Sequence, residues 1–193
     1  MKIIEGKLRG ITIRYKEQKG TRVSSEKVRK AVFDVLKGKI GNPLISLETN
    51  LAGLKVADLF CGSGMYGIEA ISRLADGAWF VDKDRRVVGS LKKNLKEIER
   101  KFRKEIKYKI LNISYDRFIK SCNERFDLIF ADPPYYQFDF DKLNEVSKIL
   151  NTGGVFVLEQ SKRGGAKELK GLELFLKKKY GDTVVCFYKN GNI

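Results

Sequence analysis

Apolar positions along the chain change period repeatedly, and the changes mark out the elements. Lys55-Val-Ala-Asp-Leu-Phe60 is a short apolar run that reads as a buried strand, and Gly62-Ser-Gly-Met-Tyr-Gly67 turns it into a helix carrying Ile68, Ala70, Ile71 and Leu74. Ala78-Trp-Phe-Val81 follows as a second strand. From Val87 to Ile98 the spacing becomes helical, with Val88, Leu91, Leu95 and Ile98 on one face. Tyr108 to Leu111 reads as a third strand and Tyr115 to Ser121 as a short helix. A fourth strand, Phe126 to Phe130, ends in Ala131-Asp-Pro-Pro-Tyr135, because proline cannot continue a central strand. Phe140 to Leu150 predicts another helix and Gly154 to Leu158 a fifth strand. Leu172 to Lys178 and Thr183 to Tyr188 predict a closing hairpin about Gly181-Asp182.

Strands that alternate with helices call for a mainly parallel sheet, right-handed crossovers and helices on both faces, and the last hairpin adds an antiparallel strand at one side. The expected fold is α/β, a doubly wound, Rossmann-like sheet of seven strands within residues 51–193. Residues 1–50 form an extension of different character. Lys2 to Arg14 reads as a basic hairpin, Ser25 to Lys37 as a helix with Val28, Val32, Val35 and Leu36 toward a core, and the polar stretch around Gly41-Asn-Pro43 as a linker. The length of 193 residues suits one domain with such an appendage.

Composition narrows the setting. Lys and Arg number 39 against 24 Asp and Glu, a net charge of +15, which draws polyanions by neutralising phosphates and releasing counterions. Nucleic acid is the expected partner, with a solubilising lysine-rich surface as the plain alternative. No apolar run approaches the roughly 20 residues that span a bilayer, and the N-terminus lacks the apolar stretch of a signal peptide, so a cytoplasmic protein without membrane contact is expected. Cys61, Cys122 and Cys186 are odd in number and far apart, which suits neither a disulfide framework nor a metal site. A monomer is the expected state.

Candidate chemistry collects at the ends of the predicted strands. Gly62, Gly64 and Gly67 form G-x-G-x-x-G between a strand and a helix, the setting in which glycines let a cofactor approach the backbone. Phe60 and Ser63 line the same turn. The pattern alone admits NAD, S-adenosylmethionine or no ligand. Asp58 lies within the strand four residues before Gly62, where an unpaired carboxylate would be costly; it can receive the ammonium of a methionine moiety or satisfy an N–H inside the turn. Asp82 ends the second strand, placed to accept both ribose hydroxyls of an adenosine-containing cofactor. Asp84 is a second candidate for that role, or the start of the next helix. Asn112 and Ser114, after the third strand, stand where a side chain can reach an adenine edge. Glu159 ends the fifth strand, where it can face the pocket, although a surface carboxylate is the favoured reading.

Asp132-Pro133-Pro134-Tyr135 discriminates among these readings. An exocyclic amine of a nucleic-acid base is a poor nucleophile because its lone pair is delocalised into the ring. Asp132 and the Pro133 carbonyl can accept the two amino hydrogens, the prolines fix the backbone, and Tyr135 can stack on a base taken out of its helix. The chain has no histidine, which fits catalysis by positioning, since the amine can lose its proton after the methyl has moved. A proline turn with a core tyrosine is the purely structural alternative.

With these residues in view the chain resembles the bacterial small-subunit ribosomal RNA guanine-N2 methyltransferases called RsmD, of the class I S-adenosylmethionine-dependent superfamily. The likeness runs from Ile3-Ile-Glu-Gly-Lys-Leu-Arg-Gly10 through Thr21-Arg22, Val28 to Leu36, Asp58 to Gly64 and Gly67-Ile-Glu-Ala-Ile-Ser-Arg73 to Asp132-Pro-Pro-Tyr135. It implies S-adenosyl-L-methionine at Asp58, Gly62, Gly64 and Asp82, catalysis at Asp132 to Tyr135, and a basic N-terminal hairpin that helps to hold RNA. Lys7, Arg9, Arg14 and Arg22 are the residues expected to touch that RNA, in free small-subunit ribosomal RNA or a partly assembled 30S subunit. Arg22-Val-Ser-Ser25, Asp82 and Ser114 depart from the family's usual Arg-Pro-Thr, Glu and Asp. The same turn also serves the N6 amine of adenine or the N4 amine of cytosine in DNA or RNA. The charge alone would suit a noncatalytic RNA-binding assembly factor.

Overall fold

The computed structural model describes residues 1–15, 25–38, 50–103, 105–134, 138–162 and 168–191. Its strands are β1 (Lys55–Leu59), β2 (Gly77–Val81), β3 (Tyr108–Leu111), β4 (Phe126–Ala131), β5 (Leu150–Ser161), β6 (Leu172–Tyr180) and β7 (Thr183–Asn190). The α-helices are α1 (Glu26–Gly38), α2 (Met65–Ser72), α3 (Arg85–Phe102) and α4 (Tyr115–Ser121). The strands form one seven-stranded sheet in the order β3-β2-β1-β4-β5-β7-β6. The pairs β1–β2, β1–β4, β2–β3 and β4–β5 are parallel, whereas β7 runs antiparallel to both neighbours. Chain order reverses direction between β1 and β4, so the carboxyl ends of those strands flank a topological switch point.

Side chains alternate across a strand, and the sheet therefore supports two apolar layers. On one face Val56, Leu128, Phe130, Val155, Val157 and Phe187 meet Ile68 of α2 and Leu91, Leu95 and Ile98 of α3. On the other, Ala57, Leu59, Ile129, Phe156, Leu158 and Tyr188 meet Phe118 and Ile119 of α4 and Leu143, Val146 and Ile149. Ile3, Leu8 and Ile13 from the N-terminal extension, with Val32, Phe33 and Leu36 of α1, join the first layer.

The structure refines several elements of the sequence reading. The helix expected over Phe140 to Leu150 is present at Phe140–Ile149 and is of the 3-10 type. At its two ends the Lys142 N–H donates to the Asp139 carbonyl at 3.2 Å and the Leu150 N–H to the Ser147 carbonyl, three residues back in each case, the 3-10 repeat. β5 extends beyond the predicted run at both ends, with a register shift against β4 between Phe126 and Leu128. The N-terminal hairpin is a ribbon with a single bridge, Lys2 to Thr12, flanked by Ile3 N–H to Ile11 carbonyl (3.0 Å) and Ile13 N–H to Met1 carbonyl (2.7 Å). The linker reading falls largely on residues 39–49, outside the described residues. Among the described residues no helix is long and apolar enough to cross a membrane. Cys61 and Cys186 are buried and Cys122 half-buried, all as free thiols.

Candidate functional site

β1 ends at Leu59, paired with Val81 of β2 and Ala131 of β4. The segments that follow these three strands, Phe60 to Gly64, Asp82 to Asp84 and Asp132 to Pro134, therefore emerge side by side at one edge. Phe60 enters the loop at φ 57, a conformation sparsely populated outside glycine. Its ring is held by Tyr115, stacked at 5.3 Å, and by Phe138, edge-on at 5.0 Å. Such strain persists only where the surroundings over-determine it, and it gathers at ligand sites. Gly64 has φ 75, and a Cβ there would lie 2.5 Å from Leu91 Cδ1, so the loop can settle on α3 only with glycine at this point. A Cβ at Gly62 would meet nothing closer than the Phe60 carbonyl at 3.9 Å, leaving the outer side of the loop open to a ligand.

Two carboxylates lace this loop. Asp58 is buried, and its Oδ2 accepts the Gly67 N–H at 2.9 Å. Burial pushes its carboxyl up to about 8, with the Gly67 hydrogen bond opposing and the Asp82 charge adding to the rise. Asp82 accepts the Gly62 N–H at 3.0 Å and the Asp84 N–H at 2.9 Å, one on each oxygen. A carboxylate has about four lone-pair sites, so two remain for hydroxyl donors.

Asp84 and Ser114 are helix caps. Asp84 accepts the Arg86 N–H at 2.8 Å and pairs with its guanidinium at 3.0 Å, contacts that hold the carboxyl down to about 2. Ser114 accepts the Arg117 N–H at 3.4 Å at the start of α4. Asn112 Nδ2 donates to the Asp82 carbonyl at 3.0 Å. Ser63 is nearly buried, and its Oγ stands 3.9 Å from the Met1 sulfur, which brings the N-terminal ribbon against the glycine loop. After β4, Asp132 is half-buried, Pro133 buried and Pro134 exposed. Tyr135, Tyr136 and Arg22 lie outside the described residues.

Glu159 corrects the sequence reading. It is 3% exposed, and its Oε2 accepts the Tyr66 hydroxyl proton at 2.8 Å. Instead of ending at this residue β5 continues and pairs it with Val185 of β7, so the position is covered inside the sheet. Ala131 is in register with Leu158, which places Glu159 beside Asp132. Tyr66 also stacks on Phe130 at 4.8 Å, two residues before Asp132.

The basic ribbon is fixed by a buried carboxylate that the residue pattern alone did not single out. Glu69 of α2 accepts the Ile4 and Glu5 N–H groups at 2.9 Å each and Arg73 Nε at 3.1 Å. Arg29 of α1 stands 3.7 Å away and donates to the Lys2 carbonyl at 2.7 Å. Ser72 Oγ accepts the Leu8 N–H at 3.0 Å and donates to the Glu5 carbonyl, while its own carbonyl accepts the Lys7 N–H at 2.7 Å. Gly6 fits because a Cβ there would lie 1.9 Å from the Ser72 carbonyl oxygen. The available signal was a charge within a helix whose neighbours are almost all buried. Lys7, Arg9 and Arg14 project outward from the ribbon, all exposed.

The family described as conserved hypothetical protein 95 matches residues 1–189. The chain belongs to this family. Its relative in Buchnera aphidicola, called Ribosomal RNA small subunit methyltransferase D, is 30% identical over 194 residues, 96% of this chain and 90% of the relative. Among solved structures, Escherichia coli yhhF gives a TM-score of 0.80 at 24% identity, covering 98% of this chain and 97% of that one. A protein described as a putative methyltransferase complexed with SAH gives a TM-score of 0.61 at 14% identity over 84% of this chain and 48% of that one, a likeness of fold. This member of the conserved hypothetical protein 95 family is thus RsmD-like, and its sheet is that of a class I methyltransferase.

Proposed function

We propose that this chain transfers the methyl group of S-adenosyl-L-methionine to the exocyclic N2 amine of a guanine in small-subunit ribosomal RNA. The observation that carries the reading is the side-by-side emergence of the glycine loop after β1 and Asp132-Pro133-Pro134 after β4, with Leu59 and Ala131 in register. Cofactor and acceptor amine then share one edge of the sheet. The open outer side of Gly62 and the acceptor-rich pair Asp58 and Asp82 suit a cofactor that brings an ammonium and two ribose hydroxyls. The methyl donor of the family supplies an electrophilic methylsulfonium.

The protein's own residues do the rest by placement. Asp132 accepts one amino hydrogen and the Pro133 carbonyl the other, which turns the nitrogen lone pair toward the methyl group. The rigid proline pair keeps these two acceptors at a fixed separation. Tyr135 stacks on the extruded base, and the proton leaves the nitrogen after the methyl has moved. Phe60 and Ser63 line the cofactor loop. Asp84 and Ser114 shape the adenosine end of the pocket from their helix caps. Residues 1–50 serve as the RNA-contacting extension of the catalytic unit 51–193, with Lys7, Arg9, Arg14 and Arg22 on phosphates.

Transfer of a labelled methyl group to unmodified small-subunit RNA and to assembling 30S subunits, followed by nucleoside analysis, tests the reading. N2-methylguanosine is the expected product. A methylated adenine or cytosine would overturn the acceptor, and cofactor binding without transfer would favour the scaffold alternative. The Asp132→Ala variant should bind the cofactor normally and lose about a thousandfold in turnover, roughly 4 kcal/mol of barrier lowering. Full activity in that variant would refute the mechanism.

A further inference from the structure

α3 carries more unpaired positive charge than the ribbon does. Arg85, Lys92, Lys96 and Arg100, spaced by seven, four and four residues, fall on one stripe of the helix, with Arg86 and Lys93 alongside; all six are exposed. Among the described residues, Arg86 pairs with Asp84, while the other five have no carboxylate partner. The two acids of the helix stand at the borders of this stripe and are engaged. Glu97 pairs with Lys101 at 3.1 Å, and Glu99 accepts the Ile106 N–H at 3.4 Å and the Tyr108 hydroxyl proton at 3.5 Å.

The position of the stripe matters as much as its charge. It starts beside Asp84, at the cofactor edge of the sheet, and runs about 22 Å along the helix at 1.5 Å per residue. Asn94 Nδ2 donates to the Arg14 carbonyl at 2.9 Å, so the ribbon is stitched to the flank of α3 and the two basic surfaces are continuous. Arg14 and Arg100 both act on the Glu97 carboxyl, behind the larger influence of Lys101.

We propose that the outer face of α3 is a second RNA-binding surface, which takes successive phosphates flanking the target base and leads the substrate to the catalytic edge. The proposal rests on RNA as the substrate class. An amphipathic helix held on a membrane inserts its apolar face, whereas Val88, Leu91, Leu95 and Ile98 of this helix are all buried in the protein. The stripe itself offers only cations and their stems, as a phosphate track requires.

The test compares K92Q/K93Q/K96Q with a control of equal charge change, K177Q/K178Q/K179Q on β6 at the far edge of the sheet. Both are made in the full chain, and circular dichroism and melting temperature confirm that each folds. Binding to a small-subunit ribosomal RNA fragment is followed by fluorescence anisotropy over graded salt. Loss of three phosphate contacts should weaken binding roughly tenfold or more and flatten the slope of log affinity against log salt by about 2 to 3. That result in the α3 variant alone supports the surface. An unchanged slope, or equal losses in both variants, overturns it. Loss of binding to phosphatidylserine vesicles with RNA binding intact overturns it in favour of a membrane. Methyl transfer by the unsubstituted protein is scored separately, so a chain that binds this RNA through α3 and methylates nothing in it refutes the functional reading and supports the surface.

Discussion

Replacing Glu69 by Ala removes the carboxylate on which the N-terminal ribbon hangs, and the structure sets the size of the effect. Glu69 is fully buried and faces Arg29 and Arg73, themselves 0% and 2% exposed. Breaking a buried ion pair from one side costs about 3–5 kcal/mol, because the remaining charge stays buried without compensation. Each buried N–H left without an acceptor adds about 1–3 kcal/mol, and the Ile4 and Glu5 N–H groups both lose theirs. These costs overlap, since a freed ribbon can rehydrate, so a net loss of about 4 kcal/mol is expected. For a chain of this size that corresponds to a fall in Tm of about 8–16 °C. Glu69→Gln keeps one acceptor oxygen and loses the charge, and should fall between the two. Urea denaturation measures the loss, and hydrogen exchange locates it: amides of residues 3–8 should exchange faster than those of β1 and β4. A loss below about 1 kcal/mol, or exchange that rises uniformly, would refute the argument.

Asp58 makes stability depend on pH in a stated direction. Its carboxyl lies near 8 when folded and in the ordinary carboxylate range when unfolded, so its contribution is fully present below about pH 4 and is lost as pH rises through 8. At about 1.4 kcal/mol per unit this amounts to several kcal/mol, and Asp58→Asn, which keeps an acceptor for Gly67, should abolish that slope in urea denaturation. A variant with the native pH dependence would show that Asp58 is not the group responsible. An ammonium seated beside Asp58 favours its charged form, so cofactor affinity measured by calorimetry should rise between pH 6 and 8 in the native protein and stay flat in the variant. Gly64→Ala places a methyl group against Leu91 at a positive φ and should cost about 1–3 kcal/mol with weaker cofactor binding; a neutral result would mean that the loop can relax.

The centre of the sheet was legible because β1, β4 and the middle of β5 bury both faces and so read as apolar runs broken by glycine and proline. β3 and α4 begin and end where the residue pattern put them, Tyr108–Leu111 and Tyr115–Ser121. Elements defined by hydrogen bonding rather than burial were less legible. The apolar positions locate Leu143, Val146 and Ile149 toward the core, and the 3-10 form shows in backbone bonds to carbonyls three residues back, Lys142 to Asp139 and Leu150 to Ser147. The polar run Asn151-Thr-Gly-Gly154 hid the start of β5, and the pairing with β7 that buries Glu159 joins residues 26 apart. At Asp84 the sequence offered a ligand role and a capping role for one side chain, whereas at Ser114 it offered only the ligand role and the cap emerged in the structure. The cap is visible in the fold, and the ligand role stays a matter of chemistry.

The least legible feature ties the site together. Glu69 meets partners 64 and 65 residues away, a contact that no local pattern encodes. α2 is only eight residues long, yet with its C-cap it takes part in three jobs. Gly67 donates to Asp58 under the cofactor loop, and Tyr66 donates to Glu159 under Asp132. One turn later Glu69, and then Ser72 and Arg73, grip the ribbon that carries Lys7 and Arg9. A single short helix thus ties together the glycine loop after β1, the Asp132-Pro133-Pro134 turn after β4 and the basic ribbon. On the proposed mechanism, transfer by positioning tolerates little misplacement, so damage to the ribbon's anchor should be felt in turnover as well as in RNA affinity. Contact between Met1 and Ser63 provides a second, shorter route for the same coupling.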